Sequence, residues 1–305
     1  MKRSVSFLCV LSLLISCITI FAGCAPKELG AYEADEPHIV DMAVDPNDPS
    51  FDPANVKERK QTTLKGKTIY WLGSSVLLGA SSDEYSMADY IAVRNSAVCV
   101  KEAVSGTTLK SMDNKQDYVN RLLDSTVLDK NAKIDAFIVQ ISTNDVLAKE
   151  QWGSVTAADV TDRSQFDLST SLGGVEYMIS YIHETWNCPV YFFSGSYFGT
   201  TPVNGYVRDA FWNSGDDYGE LVGLVQKAVD KWNAMEGYDV QMIDLYNDAA
   251  FNSGITTEEY QYYMDSIFRG GDTYADDPIH PRKAGYLYWW TPYFEEFLHY
   301  NIGTP

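Results

Sequence analysis

The stretch TIYWLGSSVLLGASS, Thr68 to Ser82, decides the fold. Apolar, β-favouring residues run straight into a glycine, two serines and a second glycine, Gly79. An apolar run of this length without alternation reads as a strand buried on both faces, and the glycine-serine break reads as the loop leaving its carboxyl end. The pattern recurs downstream in AVCVKEAV (97–104), IDAFIVQIST (134–143), CPVYFFSG (188–195) and YDVQMIDLY (238–246). Between these runs lie helical stretches, SMADYIAVRN (86–95), QDYVNRLLDSTVL (116–128), GGVEYMISYIHETW (173–186) and YGELVGLVQKAVDKWNAME (218–236), with the amphipathic PRKAGYLYWWTPYFEEFLHY (281–300) last. Five buried strands separated by helices predict an α/β fold, a parallel sheet between two helical layers. Sites in such sheets form from the loops at the carboxyl edge.

With 305 residues, 45% of them hydrophobic, the chain can bury one full core, assigned to residues 67–305. Residues 1–23 read as an export signal, with Lys2 and Arg3 ahead of an apolar run from Val5 to Phe21. Residues 24–66 are acidic, punctuated by proline and without apolar period, as a flexible tether would be. Within them DPNDPSFDP (45–53) has the aspartates of a calcium loop but lacks its glycine and closing glutamate. Removal of residues 1–23 leaves 21 Lys+Arg against 42 Asp+Glu, a net charge of −21. Nucleic acid and anionic lipid headgroups are therefore poor partners. Cys99 and Cys188 stand in strand runs, in neither CxxC nor metal-ligand spacing, and read as separate buried thiols.

Four of the loops that follow strands, or close the chain, carry chemistry-bearing residues. Ser74 and Ser75 follow the first strand, Gly106 sits in SGTTL after the second, Asn144 and Asp145 sit in STNDV after the third, and DDPIHP near the end holds Asp276, Asp277 and His280. A serine hydroxyl becomes a useful nucleophile only beside a positioned base, itself oriented by a third group. Of the four histidines, His38 lies in the tether, His183 in a helical run and His299 near the end of the last helix. His280 alone stands in a loop with aspartates close before it, Asp277 at i−3 and Asp276 as the alternative orienter. Read as a phosphate cradle, GSSVLLG matches neither GxGxxG nor the Walker A lysine pattern.

These blocks resemble the SGNH hydrolases, the GDSL esterase and lipase family, over about residues 67 to 300. The resemblance implies a flavodoxin-like three-layer α/β/α sandwich with strand order 2-1-3-4-5. It also implies Ser75 as nucleophile, His280 as base oriented by Asp277, and an oxyanion hole of Ser75, Gly106 and Asn144, with no metal or organic cofactor. The implied reaction is cleavage of carboxylic esters through an acyl-enzyme, on small acyl esters that include acetyl groups on carbohydrates. Two positions depart from the family: Ser74 replaces an aspartate and Ser142 a glycine. The rival readings are a non-catalytic domain of the same shape and a surface solute-binding lipoprotein, although binders of that kind need two lobes around a cleft. Aromatics in the long loops, Trp152, Phe166, Tyr197, Phe198, Tyr206, Trp212 and Tyr274, serve either as a sugar or acyl platform or as packing for the loops themselves.

The FAGC ending at Phe21 to Cys24 resembles the lipobox of bacterial lipoproteins. It implies a lipid on Cys24 and a protein held on the outer face of the cytoplasmic membrane. The expected outcome is that wild type sediments with membranes and Cys24→Ala enters the soluble fraction; equal retention of both would remove the lipid anchor from the reading.

Overall fold

The computed structural model describes residues 40–111, 116–208, 215–264 and 277–303. Residues 1–39, and with them the expectations for the signal, Cys24 and His38, lie outside the described residues, as do Trp212, Tyr274 and Asp276. Five strands, β1 (Thr68–Gly73), β2 (Val98–Ala103), β3 (Ala136–Gln140), β4 (Val190–Phe193) and β5 (Val240–Ile243), form one sheet. All neighbours are parallel and the order is β2-β1-β3-β4-β5, the doubly wound arrangement that the resemblance implies.

The helices are α1 (Ser75–Leu78), α2 (Met87–Asn95), α3 (Tyr118–Asp124), α4 (Ser171–Trp186), α5 (Gly215–Asn233), α6 (Ala249–Ser253), α7 (Thr257–Tyr263), α8 (Lys283–Gly285) and α9 (Thr291–Ile302). Packing sorts the long ones into two groups: α2 lies against α9, while α3 lies against α4 and α4 against α5. Side chains on a strand alternate between faces, and β1 shows the result in adjacent residues. The Tyr70 ring meets Trp186 of α4 at 5.9 Å, and the Trp71 ring meets Phe294 of α9 at 5.9 Å. Both faces of the sheet are thus covered, which is why the strands read as unbroken apolar runs. Cys99 on β2 and Cys188 just before β4 are free thiols, separated by the strand order as expected. Burial pushes the Cys188 thiol up to about 12, which keeps it protonated. Among the described residues no helix is long and apolar enough to cross a membrane.

The flexible tether expected over residues 24–66 needs correcting: from Val40 onward the chain is folded onto the domain. Two short 3₁₀ turns, Pro49–Phe51 and Pro53–Asn55, bury Phe51 and Pro53, and Leu64 is buried further on. Phe51 meets the Tyr288 ring edge-on at 5.6 Å. Two aspartates of the 45–53 run cap turns, Asp45 accepting the Asn47 N–H (2.8 Å) and Asp48 the Ser50 N–H (2.8 Å). The apolar residues of this segment dock singly, so no helical or strand period marks them.

Charge completes the attachment. Glu295 on α9 is fully buried and accepts from Arg94 through both oxygens (2.8 and 2.9 Å), from Arg59 of the N-terminal segment (3.0 Å) and from Asn95 (2.6 Å). A buried carboxylate survives only with its lone pairs filled, and removing it takes the shared carboxylate from two guanidinium groups. Glu295→Ala is expected to cost about 3–5 kcal/mol in denaturant unfolding. By contrast, Lys149→Ala, which breaks exposed pairs with Asp217 and Glu220, should leave the unfolding midpoint nearly unchanged.

Candidate active site

The register sets Gly73 beside Ala103, Leu72 beside Val139, and Gln140 beside Phe193, so the carboxyl ends of the strands share one edge. At this edge β1 stops at Gly73, where a Cβ would meet Leu77 Cβ at 2.6 Å and Gln140 Oε1 at 2.8 Å; no larger residue fits. Ser74 then caps α1 and Ser75 is its first residue. Gln140, buried at the end of β3, fixes this turn: its Oε1 accepts the Ser74 and Leu77 N–H groups (2.9 and 3.0 Å), and its Nε2 donates to Ser74 Oγ (2.9 Å). Ser74 therefore faces inward, onto Gln140, and Ser75 is the serine presented to the edge. Helix α1 ends at Gly79 in the left-handed region (φ 85°), where a Cβ would lie 2.2 Å from the Tyr85 carbonyl oxygen.

His280 comes from the opposite end of the chain and completes the site. Its Nε2 lies 2.7 Å from Ser75 Oγ and its Nδ1 lies 2.7 Å from Asp277 Oδ2. The other oxygen of Asp277 accepts the Ile279 N–H (2.8 Å) and the His280 N–H (3.3 Å), so the i, i+3 turn through Pro278 is closed by the same carboxylate that holds the ring. All three side chains are more than nine-tenths buried. Serine, histidine and aspartate thus form one continuous hydrogen-bonded chain.

The other two predicted residues lie on neighbouring loops. Gly106 is exposed, with φ 77°, and a Cβ there would meet open space; conformation alone calls for glycine. Asn144 donates its amide to the Thr107 carbonyl (3.0 Å) and to Ser142 Oγ (3.1 Å), which draws its loop against that of Gly106. Ser142, where the family has glycine, sits at φ −75°, so no glycine conformation is needed. Its hydroxyl donates to the Thr107 carbonyl (2.7 Å) and accepts the Asn144 N–H (3.1 Å).

Sequence reasoning missed Gln140 and Arg121. The Arg121 guanidinium donates to the Gly73 carbonyl (2.8 Å), to Thr107 Oγ1 (3.0 Å) and to the Glu102 carbonyl (3.1 Å), joining the ends of β1 and β2. A polar residue closing the apolar strand AFIVQ is the signal that could have found Gln140; Arg121, in an ordinary helical run, left none. Of the loop aromatics, Trp152, Phe166 and Phe198 are buried: Phe166 packs against Trp232 (6.1 Å) and Phe198 stacks on Tyr218 (5.3 Å). These three belong to the loops' own packing, whereas Tyr197 and Tyr206 are half-buried. Among the described residues no three His, Cys, Asp or Glu side chains cluster as metal ligands.

No protein-family model matches the chain, and no curated protein matches its sequence. Solved structures do match its fold. One shares 18% identity with a TM-score of 0.53, covering 78% of this chain and 98% of its own. Phospholipase A1 from Streptomyces albidoflavus shares 16% (TM-score 0.49; 76% and 99% covered), and the acetylxylan esterase Axe2 from Geobacillus stearothermophilus shares 13% (TM-score 0.46; 80% and 98%). The likeness is one of fold over nearly the whole of each of those chains.

Asp145 holds the loops together from beneath. Its carboxylate accepts the Leu109 N–H (2.8 Å), the Ser171 hydroxyl (2.6 Å) and, at 3.4 Å, the Lys110 N–H. Burial is the largest influence on it and pushes its pKa up to about 6, against the lowering effect of those bonds. A native value above the unfolded 3.8 means that the folded protein prefers the protonated form. This contribution is full below about pH 3.8 and lost as pH rises through about 6. The stability of wild type relative to Asp145→Asn should therefore fall by about 2 kcal/mol between pH 4 and pH 7. Paired denaturant curves check this, and a difference independent of pH would show that Asp145 titrates at its unfolded value.

Proposed function

We propose that the protein is a serine hydrolase that cleaves carboxylic esters through an acyl-enzyme on Ser75. The observation that carries this is the buried Ser75–His280–Asp277 chain at the carboxyl edge of the sheet, with 2.7 Å at each link. The hydroxyl is already bonded to the nitrogen that must take its proton, and the distance lies within the range that proton transfer needs.

In this mechanism Ser75 Oγ attacks the ester carbonyl carbon while His280 Nε2 removes its proton. Asp277 keeps Nδ1 protonated, which directs the free lone pair of Nε2 at Ser75 and stabilises the imidazolium that forms. The oxyanion of the tetrahedral intermediate is bound by the N–H groups of Ser75 and Gly106 and by the Asn144 amide. His280 then gives its proton to the departing alkoxide, the carbon–oxygen bond of the ester breaks, and the acyl group stays on Ser75. Water, deprotonated by His280, attacks the acyl carbon and releases the acid. Asn144 serves last among the three donors, since its amide also bonds Thr107 and Ser142 and one of those bonds must yield. The substrate class we propose is small acyl esters, including acetyl groups on carbohydrates, met outside the cell by a protein anchored through Cys24.

Ser75→Ala and His280→Ala are each expected to lower kcat on a panel of p-nitrophenyl and acetylated-sugar esters by at least about 10³-fold, and the double variant to cost little more, because the groups act as a unit. Asn144→Ala should lose about 10²-fold. Full turnover by Ser75→Ala would take the nucleophile's role from Ser75, and no ester cleaved by wild type would leave a non-catalytic domain of the same shape.

A further inference from the structure

Ser75 and His280 stand 205 positions apart, so the 2.7 Å between them depends on how two separate segments, residues 74–86 and 277–285, are held against each other. A third segment touches both. Asn47 donates its side-chain amide to the Ser81 carbonyl (3.1 Å), on the nucleophile's side, and accepts the Lys283 N–H with Oδ1 (3.0 Å), on the base's side. One residue further on, the Ala284 N–H donates to the Pro46 carbonyl (3.0 Å).

The Lys283 side chain makes the same span in reverse. Its ammonium donates to Asp52 Oδ1 at 2.5 Å, lies 2.7 Å from Asp83 Oδ2 and stands 5.6 Å from the centre of the Tyr85 ring. Lys283 is only 2% exposed, although it is three residues past His280 in a chain with ample solvent-facing positions for a lysine. Burial alone would push the ammonium down, but the bonds to Asp52 and Asp83 outweigh it and hold the group above its ordinary value, charged at any working pH. Asp83 occupies the left-handed region (φ 54°), a conformation that aspartate tolerates better than most residues.

Asn47 thus links the segment that bears the nucleophile to the segment that bears the base through residues 45–52, while Lys283 joins the two segments directly at Asp83 and ties the base's segment to residues 45–52 at Asp52. We propose that residues 45–52 form a strap that positions His280 for ester cleavage, with Asn47 and Lys283 as the positioning residues through which it acts. The proposal rests on Ser75 being the nucleophile. Proton transfer from Ser75 requires His280 within about 2.6–3.2 Å, and a displacement of about 1 Å is enough to cost on the order of 10²-fold in rate. Asn47 and Lys283 act on the placement of His280, so their loss should appear in kcat rather than in KM.

The test uses the full chain as wild type, Asn47→Ala, Lys283→Met, Lys283→Arg and Ser75→Ala. Two readouts are taken: kcat and KM on p-nitrophenyl acetate, and the low-field proton resonance of His280 Nδ1–H bonded to Asp277. Asn47→Ala and Lys283→Met are expected to lower kcat about 10- to 100-fold with KM within about twofold, and to broaden or shift the resonance. Lys283→Arg should recover most of the rate, since a guanidinium can still reach Asp52 and Asp83. Unchanged kcat in both folded variants, or equal loss in Lys283→Arg and Lys283→Met, would overturn the strap's role. Should Lys283→Met fail to fold, Asn47→Ala, at a half-buried position, carries the test alone. Should wild type cleave no ester, the hydrolase reading fails by itself, and the resonance still decides the strap: unchanged in both variants, it overturns the positioning.

Discussion

Gln140 decides where the main chain turns at the end of β1. Its carboxamide is buried at the end of β3 and satisfies two backbone N–H groups and one hydroxyl of the turn that carries Ser75. Each of those groups, left unbonded in the interior, would cost on the order of 1–3 kcal/mol, so the turn has little freedom to run otherwise. Everything reactive is placed from there. Ser74 is drawn inward, Ser75 is left facing the edge, and Gly73 must lack a side chain for Gln140 to approach. At position 74 the serine hydroxyl serves as the acceptor for the Gln140 amide.

Buried charge does the same work at larger scale. The chain is strongly acidic, yet several of its cations are buried, and they join segments distant in sequence. Arg121 ties the ends of β1 and β2. Lys231 on α5, 6% exposed, binds Glu176 on α4 and the Val160 carbonyl, fastening the loop after β3 across both helices. Arg59 and Arg94 meet on Glu295. Such groups add little net stability compared with apolar packing, but their geometry is exacting, and that suits loops whose relative placement matters more than their burial.

The strands and the candidate residues at the sheet edge were legible because each depends on local sequence. A strand buried on both faces announces itself as an apolar run, and a residue used at the sheet edge must come just after one, which picked out Ser75, Gly106 and Asn144 and left His280 as the one histidine in a loop beside aspartates. The docking of residues 40–66 was illegible because Asn47, Phe51 and Leu64 make their contacts one at a time, with partners more than 200 positions away in the case of Phe51 on Tyr288 and Asn47 on Lys283. The terminal stretch PRKAGYLYWWTPYFEEFLHY reads as one helix but is broken into α8, a π turn over Tyr286–Trp290 and α9, with Pro292 in the first turn of α9. A one-residue widening of a turn leaves the composition unaltered, although the missing N–H of Pro292 marks a place where the ladder is interrupted. Whether a loop aromatic packs or projects depends on neighbours that no local window contains.

The wide separation of Ser75 and His280 also bears on synthesis. A ribosome adds about 5–20 residues per second, so β1 and its serine precede the histidine by on the order of 10 to 40 seconds. During that interval the hydroxyl has no base beside it. In the proposed reaction emerging chains are therefore chemically silent, and the Ser75–His280 pair forms only when the last helix folds back over the first strand. The closing of so long a loop also raises the contact order, which places the fold among the slower ones to reach its native state.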